Sequence, residues 1–280
     1  MLIAFQPHQR CAGRLARLAR LASTLWVAAV LSGCALLPRA ATVPMRIVLE
    51  PASCATRPDT LLVVLPGAYS VPEEFVREGF VAALRERQLA LDVWLPDAHL
   101  GYYRNRSILE RLLADVLAPA RAQGYRHIWL LGISLGGFGA LALAQSPGVD
   151  VDGIVVLAPY LGEPRVIEAV AAEGGLRQWR APDIPADLSG DPDFAVWRWL
   201  KGYAQSPSQR PPLLLGYGLD DRLARNAALL GAALPPDHVL TVPGGHDWPA
   251  WTPLWRQALA RVPLPVDRSC QTRSSVSSAR

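Results

Sequence analysis

Acidic residues are missing from the first 33 positions of this 280-residue chain. The same stretch carries Arg10, Arg14, Arg17 and Arg20, which account for the whole formal net charge of +4 and leave residues 34–280 formally neutral. The basic balance therefore gives no support to a nucleic-acid partner, since no net positive charge remains beyond the leader. Cysteine is scarce, with four residues and no CxxC pair, and this argues against a metal site or a dithiol redox centre. Charged residues are few as well, 19% against 51% hydrophobic, so the chain can bury enough surface to offset the entropy of ordering and is not a disordered protein. There is no internal repeat, and the length suits one large domain or two small ones.

Residues 21–33 (LASTLWVAAVLSG) form an uncharged, mostly apolar run. It falls short of the roughly 20 residues that a bilayer-spanning helix needs, and after an Arg-rich start it has the layout of an export signal. Leu31-Ser32-Gly33-Cys34 resembles the lipobox of bacterial lipoproteins. That resemblance implies loss of residues 1–33, lipidation of Cys34 and stable membrane anchoring through its acyl chains. Ala35 stands where an Asp would retain such a protein at the inner membrane, so a lipid-anchored location at the outer membrane, facing the periplasm, is expected. Cys11 lies in the leader, and in an exported chain the remaining thiols, Cys54 and Cys270, are expected to pair.

Residues 34–60 read as a spacer with one short strand at 45–49. Apolar runs of strand length then recur at 61–65, 91–95, 127–131, 153–157, 213–217 and 238–242. Helical periodicity fills most of the gaps, at 72–88, 107–122, 136–145, 221–233 and 248–261. Continuous apolar strands alternating with amphipathic helices predict an α/β fold, a mostly parallel sheet covered on both faces. Residues 163–210 interrupt the rhythm and read as a lid insertion, in which Trp179, Trp197 and Trp199 either line an apolar cleft or pack the insertion against the sheet. The domain is expected over 61–262, followed by a flexible, Ser-rich tail at 263–280.

Gly132-Ile133-Ser134-Leu135-Gly136 matches G-x-S-x-G, between an apolar strand and a helix of small residues. Such a strand–turn–helix lifts a serine above the sheet at a helix N-terminus, where backbone N–H groups favour a developing oxyanion. A serine hydroxyl attacks only when a base takes its proton, so a histidine and an orienting carboxylate are required. Beyond the leader the histidines are His99, His127, His238 and His246. His127 opens the strand that leads to Ser134 and should point away, and His238 begins another strand and should be solvated. His246, in PGGHDW after the last strand, sits where an imidazole can swing over the sheet edge. GYGLDDRLA follows the strand at 213–217, so the acid is Asp221 or Asp220, with Asp221 at the usual spacing. For the oxyanion, the donors expected are the N–H of Leu135 and, in Pro66-Gly67-Ala68-Tyr69, the N–H of Ala68.

The chain order Ser, Asp, His resembles that of the α/β-hydrolase superfamily over residues 61–262, and GGHDWPAW is similar to the ending of S-formylglutathione-hydrolase and esterase-D type esterases. The resemblance implies a serine hydrolase acting on a small-molecule or lipid ester through an acyl-enzyme, with Ser134, Asp221 and His246 as its triad and no cofactor or metal. The early loop reads PGAY where many esterases have HG or HGGG. Tyr69 on that loop, and His99, Tyr102, Tyr103 and Arg104 in DAHLGYYRNRS, are candidate substrate contacts. Acyl transfer by the same residues, or a non-catalytic envelope-binding module on the same fold, are the alternatives.

Overall fold

A computed structural model describes residues 39–54, 56–182 and 191–270. The expected export leader and Cys34 lie outside the described residues, as do 183–190 of the insertion and 271–280 of the tail. All elements below belong to the unit Ala40–Arg280.

Seven strands form one sheet: β1 (Ile47–Glu50), β2 (Thr60–Leu65), β3 (Asp92–Pro96), β4 (His127–Ile133), β5 (Gly153–Leu157), β6 (Leu213–Gly218) and β7 (Val239–Val242). Their spatial order is β1-β3-β2-β4-β5-β6-β7. β1 runs antiparallel to β3 at one edge, and every other neighbouring pair is parallel. Side chains alternate along each strand, so β2 sends Leu61, Val63 and Leu65 into one core layer and Leu62 and Val64 into the other. Both faces are covered, which is why the strands read as unbroken apolar runs.

The first layer holds α4 (Ile108–Arg111), α5 (Ala118–Ala122), α6 (Leu135–Ala144), α7 (Pro164–Ala172), α8 (Pro192–Gln205) and α9 (Ala224–Gly231). The second holds α1 (Pro72–Arg77), α2 (Phe80–Glu86) and α10 (Trp248–Ala258). There Trp255 Nε1 donates to the Phe80 carbonyl at 3.0 Å and stacks on the Phe80 ring, while Phe75, Trp248 and Trp251 continue the aromatic contacts. Each fully buried ring among them contributes about 1.5–3 kcal/mol through burial, and together they lock the segment that follows β7.

Several local expectations change. The helix expected at 72–88 is two short helices, because Gly79 takes φ 82° and turns the chain between them. The helix expected at 107–122 has π-helical turns at Leu112–Leu117, next to Pro119, which has no N–H to give to a carbonyl one turn back. A further helix, α3 (Leu100–Arg104), occupies a segment to which the periodicity assigns no helix. Trp179 and Trp197 are fully buried and do not line a cleft: Trp197 Nε1 donates to the Leu161 carbonyl at 2.6 Å, and Trp179 stacks on Phe194.

The first part of the expected flexible tail is tied down. Ala90 N–H donates to the Pro265 carbonyl at 2.8 Å, Asp267 N–H to that of Gln88 at 3.0 Å, and Leu264 is buried. Cys54 and Cys270 are joined by a disulfide across 216 positions of sequence. A crosslink spanning so long a loop restricts the unfolded chain, so the Cys54→Ser, Cys270→Ser double variant is expected to lose about 2–5 kcal/mol of unfolding free energy. Urea denaturation checks this, and an unchanged midpoint would contradict it.

Candidate active site

Ser134 links β4 to α6 with φ 52° and ψ −118°, a conformation that costs a non-glycine residue on the order of 1–3 kcal/mol. Neighbouring backbone enforces it. The Ser134 N–H donates to the Leu157 carbonyl at 3.0 Å, and its carbonyl accepts from Gly137 at 3.0 Å and Tyr160 at 2.9 Å. The flanking glycines are required by space: a Cβ on Gly132 would stand 2.2 Å from the Gly136 carbonyl oxygen, and one on Gly136 would stand 2.1 Å from that of Leu65. G-x-S-x-G is thus the pattern that lets β2, β4 and α6 converge beneath an upturned hydroxyl.

His246 reaches this hydroxyl from the loop between β7 and α10. Its Nε2 lies 2.9 Å from Ser134 Oγ and its Nδ1 lies 2.8 Å from Asp221 Oδ2. In the neutral imidazole, Nδ1–H donates to the carboxylate and Nε2 accepts the serine O–H. The Trp251 ring meets the imidazole edge-to-face at 5.2 Å. Burial pushes the His246 pKa below its ordinary value; the Arg222 charge acts in the same direction, and Asp221 opposes both. The imidazole is therefore a neutral proton acceptor at pH 7.

Asp221 stands on the loop after β6 with its side chain sealed from solvent. Oδ1 accepts the Leu223 N–H at 2.7 Å, which aims Oδ2 at His246. Asp220 is exposed and does something else: it accepts the Gly244 N–H at 3.2 Å, and its own N–H donates to the Gly244 carbonyl at 3.0 Å, joining the two loops. Of the two adjacent carboxylates only Asp221 meets the imidazole.

Leu135 is the first residue of α6, so its N–H has no partner within the helix. Ala68 lies in the turn Gly67–Ser70, which passes Ser134 closely enough that a Cβ on Gly67 would stand 3.6 Å from Ser134 Cβ. Tyr69, on the same turn, is 86% exposed. Two of the expected substrate contacts are instead structural. Tyr102 is buried, its hydroxyl donating to the Thr42 carbonyl at 2.9 Å and accepting the Thr42 N–H at 3.1 Å. His99 is buried too and caps α3, its Nδ1 accepting the Gly101 N–H at 3.1 Å. Tyr103 and Arg104 do line a cleft of about 340 Å³, together with Leu135 next to Ser134. His127 faces away and pairs with Asp152, and His238, expected to be solvated, bonds the Leu213 carbonyl at 3.1 Å.

Tyr160 was not singled out by sequence. It anchors the Ser134 carbonyl and lines both the 340 Å³ cleft and a second one of about 560 Å³ between α7 and α9. Its position just past the end of β5 was the available signal, since ligands of open α/β sheets bind beyond the carboxyl ends of the strands. Among the described residues no group of His, Cys, Asp and Glu is arranged to hold a metal ion.

The sequence profile described as "Alpha/beta hydrolase family" matches residues 62–271. No curated protein matches the chain. Among solved structures, Est1E from Butyrivibrio proteoclasticus with ferulic acid bound superposes with a TM-score of 0.52 at 15% identity, covering 78% of this chain and 94% of that one. The substrate-bound fluorophosphonate-binding serine hydrolase F of Staphylococcus aureus gives a TM-score of 0.50 at 15% identity, covering 80% and 96%. At these identities the likeness is one of fold.

Proposed function

The chain belongs to the alpha/beta hydrolase family, and from that premise we propose that it is a serine hydrolase of carboxylic esters or closely related acyl bonds. One observation carries the reading: the unbroken relay from Ser134 Oγ to His246 Nε2 at 2.9 Å and from His246 Nδ1 to Asp221 Oδ2 at 2.8 Å. Ser134 Oγ attacks the ester carbonyl while His246 takes its proton, and buried Asp221 stabilises the resulting imidazolium. The tetrahedral oxyanion is received by the N–H groups of Leu135 and Ala68. His246 then gives the proton to the leaving alcohol. Water, deprotonated by the same imidazole, releases the acid from the acyl-enzyme and restores Ser134. A binding module would have no use for a neutral imidazole held between a strained serine and a sealed carboxylate.

The proposal extends to the cell envelope. Its support is the acid-free leader, the Leu31-Ser32-Gly33-Cys34 junction and a disulfide of the kind that persists in oxidising compartments. Lipidation at Cys34 would be read by incorporation of labelled fatty acid, expected in the full chain and lost in Cys34→Ser.

Hydrolysis of 4-nitrophenyl butyrate across pH tests the reaction. Only neutral His246 can act as base, and its pKa is lowered. Activity should therefore be full at neutral pH and fall as acid is added, with the inflection of kcat/KM below about 6.5, the ordinary imidazole value. An inflection well above that value, or no turnover of any 4-nitrophenyl ester, would overturn the assignment.

A further inference from the structure

The 340 Å³ cleft beside Ser134 has a chemical polarity of its own. Leu135, Phe138 and Ala142 of α6, with Ile108 and Leu109 of α4, form its apolar lining. Arg104 and Arg106 also line it, both exposed. Among the described residues neither guanidinium has an ion pair, hydrogen bond or ring contact, whereas nearby Arg111 is held by Asp115 and Arg165 by Asp191.

The segment carrying the pair is built, not slack. Arg106 sits at φ 61°, in the left-handed region that ordinary side chains avoid. It is held there because its N–H donates to the Tyr103 carbonyl at 3.1 Å and the Ser107 N–H donates to that of Tyr102 at 3.0 Å. Asn105 Oδ1 closes the turn by accepting the Ser107 N–H at 3.0 Å and hydroxyl at 2.6 Å. Tyr103 fixes the turn to α6: its hydroxyl is buried so tightly against that helix that a Cβ on Gly139 would stand 2.2 Å from it.

Two acids share the cleft, and neither neutralises the arginines. Glu163 accepts the Tyr160 hydroxyl at 3.1 Å. Asp193 is buried and accepts the Glu163 N–H at 2.8 Å, with burial pushing its carboxyl toward the neutral form. At about 30 Å³ for each water-sized group, 340 Å³ has room for about eleven heavy atoms.

We infer that this cleft binds the part of the ester substrate that ends in a carboxylate, with a short apolar chain against Leu135 and Phe138 and the anion on Arg104 and Arg106. A singly charged carboxylate suits the site better than a doubly charged phosphate, because the Glu163 carboxylate also lines the cleft. The preferred substrates are then half-esters of short dicarboxylic acids, a class that an apolar acyl pocket would exclude. The inference takes the nature of the ligand from the hydrolase reading, so its test reads binding separately from turnover.

Monomethyl adipate and dimethyl adipate differ at the terminus that would meet the arginines. Their binding to Ser134→Ala protein, which cannot turn them over, can be measured by calorimetry. The monoester should bind about tenfold tighter or more, as charge-assisted hydrogen bonds require, and lose that advantage in 1 M salt. In the Arg104→Gln, Arg106→Gln double variant the monoester should weaken at least tenfold more than the diester. Equal binding of the two esters, or a preference that survives in the double variant, overturns the inference. In the active protein the same pair of substitutions should lower kcat/KM for the 4-nitrophenyl half-ester of adipic acid at least tenfold more than for 4-nitrophenyl hexanoate, and equal losses for the two esters overturn the inference. If no ester is hydrolysed the reaction fails, while the calorimetric result still decides the subsite.

Discussion

Alanine in place of Ser134 should lower ester turnover by about 10⁴- to 10⁶-fold while the protein stays folded. The substitution deletes one oxygen atom. The backbone geometry at this position is set by hydrogen bonds to Leu157, Gly137 and Tyr160, all through main-chain atoms that alanine retains. What disappears is the proposed nucleophile, the hydroxyl at the head of the relay to His246 and Asp221. Two companions sharpen the result. Asp221→Asn should cost on the order of 10⁴-fold, because an amide facing His246 Nδ1 at 2.8 Å favours the wrong tautomer. Asp220→Asn, which alters a loop contact and not the imidazole, should cost less than about tenfold. Initial rates with 4-nitrophenyl butyrate, beside circular dichroism of each variant, check all three; equal losses at the two aspartates would place the carboxylate wrongly.

The second large effect is on stability. Gly136→Ala adds a Cβ that would lie 2.1 Å from the Leu65 carbonyl oxygen and 2.6 Å from that of Pro66. Neither is the end of a flexible side chain, so β2 or α6 must move. The expected cost is about 3–5 kcal/mol, at the high end of single substitutions. Activity should fall with it, since Pro66 adjoins the turn that carries Ala68. Urea unfolding measures the loss, and a change within about 1 kcal/mol would show that the close packing of the elbow is not needed.

Much of the site was legible in the sequence because its parts lie at chain punctuation. Ser134, Asp221 and His246 each follow the end of a strand that reads as an apolar run, and parallel strands bring those ends to one edge. The choice between Asp220 and Asp221 was open in sequence because adjacent residues on a loop face different ways, and only the path of the turn decides. His99 and Tyr102 misled for a related reason: an aromatic cluster past a strand on the right edge looks like a binding surface. Helix α3 turns those two inward, to cap a helix and to hold Thr42, and leaves Tyr103 and Arg104 at the cleft. The tryptophans of 163–210 were ambiguous because a large ring buries equally well in a core or against a substrate; the hydrogen bond from Trp197 to Leu161 puts it in the core. The cleft could not be read in advance, since its wall joins residues of α4, α6 and the loop after β5 that are distant along the chain.

The central claim is that Ser134 is a nucleophile activated by His246, and covalent trapping tests it most directly. A fluorophosphonate added to the protein should react with one serine, and peptide mass spectrometry should find the adduct on Ser134, with labelling abolished in Ser134→Ala and slowed by orders of magnitude in His246→Ala. No adduct, or an adduct on another residue that persists in Ser134→Ala, would contradict the account.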